Sequence, residues 1–228
     1  MRSRIAAGVA CFLLVACVVS ACGGASSNGV ASKSADAIVQ ASLTAIDHAK
    51  SAHISGKLAD TAVPTSLNLT LVTGKGGRGQ VSVGRVSYKV EVIHREVYIN
   101  AGATFWTRLL ASSRGAELSG RWVEVPAKGR FASLGKLTNL RVLLATVLST
   151  STALVKGGTT TVNGQSVVAV RDPSGDATIY VATTGRPYPV ELVEPGAQGG
   201  HITFDQVNAS VPLVPPPNVL DVQTASGR

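Results

Sequence analysis

Cysteine is scarce in this 228-residue chain, and its three copies, Cys11, Cys17 and Cys22, all lie near the amino terminus. Every residue after position 22 is therefore thiol-free. A domain built from that part of the chain holds no disulfide, so its stability must come from a hydrophobic core. Apolar residues make up 45% of the sequence, which is enough for such a core and argues against disorder.

The residue patterns of catalytic and metal sites are also missing. The four histidines, His48, His53, His94 and His201, have no metal-ligand spacing with a cysteine or with one another. No Gly-x-Ser-x-Gly elbow occurs, and the acidic residues are dispersed. We therefore expect no enzyme activity, no cofactor and no metal site. That expectation would change only if folding gathered His53, His201 and a carboxylate in one cleft.

The glycine-rich stretch at residues 74–79 does not have the sequence of a phosphate-binding loop. It lacks the Gly-Lys-Ser or Gly-Lys-Thr ending and does not open a predicted helix. The glycines instead favour a turn, and we predict that the stretch forms the tip of a hairpin.

Aromatic residues are few, at 4% of the chain, and the basic residues are scattered. The net charge is +8, or +6 without Arg2 and Arg4, but no basic helix or aromatic stacking platform is present. Nucleic acid is therefore not an expected partner. Scattered positive charge is compatible both with an anionic membrane surface nearby and with an ordinary solvated surface.

The amino-terminal segment has the layout of a secretory signal, with Arg2 and Arg4 before an apolar run at residues 5–19. The run is shorter than the roughly 20 apolar residues of a membrane-spanning helix. It ends in Val19-Ser20-Ala21-Cys22, which resembles the lipobox of bacterial lipoproteins. This resemblance implies that residues 1–21 are a signal peptide and that Cys22 carries a thioether-linked diacylglycerol.

Residues 22–33, rich in Gly, Ser and Ala, are predicted to be a flexible tether behind the lipidated Cys22. The expected location is the cell membrane, with the protein lipid-anchored and facing its periplasmic or extracellular side. Residues 215–228, which begin with Pro215, Pro216 and Pro217, are predicted to be an extended, poorly ordered, Pro-rich tail.

Between tether and tail, the sequence predicts one domain of two helices and many short strands. Ser34 is a predicted N-cap for a helix at 35–51, whose apolar residues recur at helical spacing. Asn163-Gly164 predicts a tight hairpin, because both turn positions need positive φ. Alternating patterns, which favour an antiparallel sheet with one buried face, predict strands at 52–58, 67–72, 81–83, 86–92, 96–100, around Trp106, 122–125, 160–162, 166–170, 178–182, 190–193 and 201–205.

The most apolar element after the signal is a predicted amphipathic helix at 133–150. Its leucines and valine recur at three- and four-residue steps from Leu134 to Leu148. Such a helix fits a packed core and equally well the wall of an apolar cavity, and the pattern does not separate the two.

Four stretches together resemble the mycobacterial LppX/LprA/LprF/LprG lipoproteins, whose fold is similar to that of the carriers LolA and LolB. They are residues 49–56 (AKSAHISG), 161–164 (TVNG), 178–191 (TIYVATTGRPYPVE) and 201–205 (HITFD). The likeness spans about residues 34–214. It implies an α+β fold in which a strongly curved antiparallel sheet, a half-open barrel, has helices covering its concave face.

The resemblance also implies a function. Between sheet and helices would lie an apolar cavity that takes up the acyl chains of lipids or glycolipids, so that the protein binds and transports them, in some members beside a membrane transporter. The alternative is an accessory or signalling lipoprotein of the same fold that docks a membrane protein without carrying lipid. From alternation and helical spacing, the predicted cavity-lining residues are Leu67, Leu69, Leu71, Val86, Tyr88, Val90, Val97, Ile99, Leu137, Leu140, Leu144 and Leu148.

We expect the Cys22→Ala variant to leave the membrane fraction while keeping its fold. Without the thiol no acyl anchor can be attached, and nothing else in the sequence predicts a stable attachment. Fractionation at high salt, with circular dichroism of the released protein, measures both. A Cys22→Ala protein that stays on the membrane at high salt would contradict the predicted anchor.

Overall fold

The structure is a computed structural model that describes residues 26–58, 63–110, 115–127, 153–174, 177–196 and 199–221. The predicted signal peptide, Cys22 and the predicted helix at 133–150 lie outside these residues. The roles predicted for Leu137, Leu140, Leu144 and Leu148 therefore remain predictions.

The described residues form a short 3-10 helix, three α-helices and twelve strands. The 3-10 helix is Val30–Ser32. The α-helices are α1 Ala35–Asp47, α2 Ala103–Leu110 and α3 Gly115–Leu118. The strands are β1 Ser51–Lys57, β2 Thr65–Val72, β3 Gly76–Val83, β4 Val86–Ile93, β5 Glu96–Ala101, β6 Trp122–Val125, β7 Val155–Val162, β8 Gln165–Arg171, β9 Thr178–Ala182, β10 Pro189–Glu194, β11 Gly200–Asp205 and β12 Leu220–Asp221.

All twelve strands belong to one sheet, in the order β12-β6-β5-β4-β3-β2-β1-β11-β10-β9-β8-β7. Neighbouring strands are antiparallel except for the short β12, which runs parallel to β6. Strands β1 to β6 form one meander and β7 to β11 another, and the two meet where β1 pairs with β11. The predicted α+β class with an open, curved and largely antiparallel sheet is thus confirmed.

Helix α1 covers the β8 and β9 end of the sheet. Its first turn is capped by Ser34, whose Oγ accepts a hydrogen bond from the amide of Ala37, and Asp36 favours the positive end of the helix dipole. Ile38 and Ile46 are fully buried against the sheet. The helix is shorter than predicted, because Ser51 already begins β1 and donates its hydroxyl to the carbonyl of Ala209.

Two predicted loose segments are fixed in the fold. In the predicted tether, the Asn28 side chain donates to the carbonyl of Ala182, and Val30 is 1% exposed. In the predicted tail, Leu220 lies opposite Val123 at the edge of the sheet and packs against the core. Both segments therefore contribute to the folded body, although their composition is typical of loops.

Trp106 does not lie in a strand, as predicted, but in helix α2. Apolar side chains at positions 105, 106, 109 and 110 recur at helical spacing, and Trp106 is completely buried. The sequence pattern here fits both a strand and a helix, because β5 ends at Ala101, just before Gly102, and the helix that follows has only eight residues.

The glycine-rich stretch is only partly the predicted hairpin tip. Residues 74 and 75 lie in the turn, and β3 already begins at Gly76. Gly79 has φ 157, and a Cβ on it would lie 2.0 Å from the carbonyl oxygen of Asn68 on β2. The glycines therefore let the backbones of central strands approach closely and bend. The Asn163-Gly164 turn, by contrast, forms as predicted, with φ 49 and 75.

We expect Gly79→Ala to lower the free energy of unfolding by more than about 2 kcal/mol, because φ is unfavourable and the added methyl meets backbone. Chemical denaturation measures the change. Gly158→Ala is the matched control, since a Cβ on Gly158, in β7, meets nothing within 4 Å. Equal stability of the two variants would show that Gly79 is not under this constraint.

Candidate functional site: the apolar inner face and its mouth

One face of the sheet, here called the inner face, is aliphatic across most of its strands. Residues directly opposite each other on neighbouring antiparallel strands point to the same side, so the register defines rows of side chains. The central row is Val123, Ile99, Val90, Gly79, Leu69, Ile54 and Phe204. The rows on either side are Val125, Val97, Val92, Gly77, Leu71 and Ala52, and Ala101, Tyr88, Val81, Leu67, Gly56 and Ile202.

All the predicted strand residues for the cavity lie on this inner face: Leu67, Leu69, Leu71, Val86, Tyr88, Val90, Val97 and Ile99. Most are buried in one core cluster, while Tyr88 and Val86 are half-buried. The structure thus brings the set together on one surface. That these residues line a lipid cavity is not tested by their burial and stays a prediction.

The inner face includes residues that the prediction missed. Ile202 and Phe204 of β11 and Ile179 of β9 continue the same core beyond β1. Alternation at 178–182 and 201–205 carries the signal for them. The prediction also missed Trp106, although the apolar residues at 105, 106, 109 and 110 recur at helical spacing.

The inner face ends in an opening, here called the mouth, between the β3–β4 turn and helix α2. The mouth is a space of about 510 Å³ lined by Val63, Val83, Gly84, Arg85, Val86, Ser87, Gly102, Thr104, Phe105 and Arg108. Two of its valines are unusually exposed, Val63 at 47% and Val83 at 39%. Exposed aliphatic side chains at a concave site are typical of binding surfaces.

Tyr88 and Phe105 join the mouth to the buried rows. Their ring centroids lie 4.8 Å apart, and Phe105 contacts the buried Trp106 edge-on at 5.1 Å. Burial raises the pKa of the Tyr88 phenol above its ordinary value of 10.0. The three aromatic rings thus lead from solvent to the core.

The indole Nε1 of Trp106 is buried and has no hydrogen-bond partner within the described part of the chain. A buried donor without an acceptor is costly, by about 1 to 3 kcal/mol. An apolar ligand that carries an ester or hydroxyl oxygen is the kind of molecule that relieves such a cost.

The opposite, outer face of the sheet is polar. One row carries Trp122, Asn100, Lys89, Gln80, Asn68, Ser55, Thr203 and Glu191. A shallow groove of about 570 Å³ lies over this face, around Asn68, Arg78 and Trp122. The pKa of Glu91 in the groove is raised by burial, an effect that the opposite Arg78 reduces.

The histidines of the outer face are not gathered in one cleft. His53 Nδ1 lies 2.6 Å from Asp205 Oδ1, and its Nε2 lies 3.1 Å from the Asn68 amide oxygen. His201 pairs separately with Glu191. The second nitrogen of His53 thus meets an amide and not the hydroxyl or thiol that nucleophilic catalysis uses.

The described residues contain no group of three or more His, Cys, Asp or Glu side chains arranged to hold a metal ion. None of their helices has the length and apolar character required to cross a bilayer.

Comparison with known proteins finds relatives by structure alone. No protein-family model matches the chain, and no curated protein matches it at a significant level. Its structure is similar to that of LprF from Mycobacterium bovis, with a TM-score of 0.54 and 18% sequence identity, covering 85% of this chain and 99% of that one. It is also similar to the Mycobacterium tuberculosis lipoprotein LppX, with a TM-score of 0.51 and 16% identity, covering 79% and 98% of the two chains.

A LolA superfamily protein from Nitrosomonas europaea is also found, but its TM-score of 0.31 is too low to carry an argument. The matches to LprF and LppX span nearly the whole of both proteins. They show that this chain has the fold of these mycobacterial lipoproteins, and they confirm the resemblance predicted from its sequence. At identities below 20%, the fold is what they establish.

We expect the Tyr88 phenol to ionise only above pH 10, because burial at the mouth favours its neutral form. Its folded-state pKa is higher than its unfolded one, so its contribution to stability is present below pH 10 and is lost as the pH rises further. Absorbance at 295 nm, recorded as wild type minus Tyr88→Phe, isolates this group. A difference titration with a midpoint at or below 10 would show that Tyr88 is not buried as described.

Proposed function

We propose that this protein is a lipoprotein, anchored through Cys22, that binds lipid acyl chains over the inner face of its sheet and carries them in the cell envelope. The observation that carries the proposal is the mouth, where exposed valines open onto continuous rows of aliphatic side chains. Its role would be binding and transport and not catalysis. The fold shared with LprF and LppX supports a lipoprotein of this kind.

The energetics of acyl chains in water support a carrier. Each CH₂ group of a chain costs about 0.8 kcal/mol when it is exposed to water. A lipid that leaves a bilayer therefore needs a dry surface along most of its length. Valine, leucine and isoleucine side chains in adjacent rows provide such a surface without any reactive group.

Two local features suit a lipid better than a filled core. The exposed fractions of Val63 and Val83 leave apolar surface in contact with water in the absence of a ligand. Within the described part of the chain, the buried Trp106 Nε1 has no acceptor and is available to donate to an oxygen near the head of an acyl chain. A protein that only docks a membrane protein through its exterior would gain nothing from either feature.

The direct test is lipid analysis of the Cys22→Ala protein, purified from its natural host background without detergent. Extraction and mass spectrometry are expected to find acyl lipid at a ratio of about one lipid to one protein. Delipidated protein is expected to take up a fluorescent fatty acid in a saturable manner. Protein that is empty and takes up no added lipid would contradict the carrier and favour the docking alternative.

We expect Val86→Trp to reduce uptake of the fluorescent fatty acid by about tenfold or more, because the larger side chain fills part of the mouth and costs roughly 1.4 kcal/mol of binding. Val155→Trp is the matched control, since Val155 is 53% exposed on the edge strand β7, far from the lining of the mouth. Fluorescence titration of both variants measures fatty-acid uptake. Thermal melting of both variants shows whether reduced uptake comes from blocked entry or from unfolding. Unchanged uptake by a folded Val86→Trp protein would move the entry site elsewhere.

A further inference from the structure

The charged residues that the structure describes at the mouth have one sign. Arg85 and Arg108 both contribute to its lining, and no Asp or Glu is among its described lining residues. Arg85 lies in the β3–β4 turn, directly after Gly84, and Arg108 lies on α2 one helical turn after Thr104. Both arginines are exposed, so their charged groups are available to a ligand at the opening.

On the outer face, an arginine lies beside a carboxylate. There Arg78 lies opposite Glu91 on the neighbouring strand, close enough to lower the pKa of that carboxyl against the effect of burial. At the mouth, by contrast, no carboxylate is among the described residues that line the space around Arg85 and Arg108.

Helix α2 adds a second contribution of the same sign. Gly102, Thr104 and Phe105, around its amino terminus, line the mouth. The first amide groups of an α-helix have no intrahelical acceptors and carry the positive end of the helix dipole. Here the first turn contains no acidic residue, and Gly102 has no side chain with which to cap it. An anion held at this point would interact with both the helix end and the arginines.

The ligand that fits both properties of the mouth is amphipathic, with acyl chains and an anionic head. A guanidinium group binds phosphate through two parallel hydrogen bonds, which an ammonium group does not match. A free phosphate would use the arginines but leave the valines Val63, Val83 and Val86 exposed to water. A neutral lipid would cover the valines but leave the charge without a partner.

We propose that Arg85 and Arg108, together with the amino terminus of α2, bind the phosphate head group of an anionic lipid whose acyl chains enter through the mouth. This inference rests on the proposed function and adds the class of lipid that is bound. The arginines act on selectivity, whereas the aliphatic rows supply the affinity that all acyl lipids share.

The test compares phosphatidylglycerol with diacylglycerol, a neutral lipid without phosphate, carrying the same acyl chains. Each is offered below its aggregation concentration to delipidated Cys22→Ala protein. Native mass spectrometry of the mixture measures the ratio bound. We expect wild type to prefer phosphatidylglycerol by about tenfold or more, and the Arg85→Gln/Arg108→Gln variant to prefer it by less than about twofold with diacylglycerol binding unchanged. Arg121→Gln/Arg186→Gln, which removes two exposed arginines outside the mouth, is expected to keep the preference of the wild type.

The outcomes separate this inference from the proposed function. A wild-type protein that binds both lipids equally, or an Arg85→Gln/Arg108→Gln variant that keeps the preference, overturns the head-group site while the carrier stands. A protein that binds neither lipid overturns both.

Two further measurements distinguish the head-group site from other sources of anion binding. Competition by inorganic phosphate at concentrations close to those of the lipid would show a site for free phosphate and overturn the head-group site. If the Arg85→Gln/Arg108→Gln variant loses binding to phosphatidylglycerol vesicles but keeps its preference for dispersed phosphatidylglycerol, the arginines contact a membrane surface instead. That result also overturns the head-group site.

Discussion

An open sheet with one aliphatic face cannot leave that face in water, and the rest of the structure follows from this constraint. The rows that run from Val123 to Phe204 need cover along their full width. Helix α1 supplies it near β8 and β9, and α2 places Phe105 and Trp106 over β4. Where the cover ends, at the mouth, apolar surface meets solvent.

The elements that the sequence predicted well are those in which local chemistry and the tertiary fold agree. Ser34 and Asp36 mark the start of α1, and Asn163-Gly164 marks a hairpin, because each signal depends on its own backbone. The inner-face residues from Leu67 to Ile99 were also assigned to one face, since a period of two leaves only two choices of face and the hydrophobic residues select one.

The errors lie where a distant neighbour decides the local structure. Gly79 reads as a turn residue, but the carbonyl of Asn68 on the adjacent strand is what requires a glycine there. Leu220 reads as part of a loose tail until Val123 is known to lie beside it. The charged part of the mouth had no sequence signal, because Arg85 and Arg108 are 23 positions apart and line one space only when the chain folds.

The docked segment at Asn28 and Val30 has a geometric consequence for a protein held by Cys22. Ser27 already pairs with Thr184, so five peptide steps separate Cys22, the predicted anchor, from the sheet. A chain of that length spans at most about 18 Å. The β9–β10 end of the folded domain would therefore lie close to the lipid head groups, with a limited range of tilt. A link this short restricts how the mouth can face the bilayer far more than a freely flexible linker of a dozen residues would.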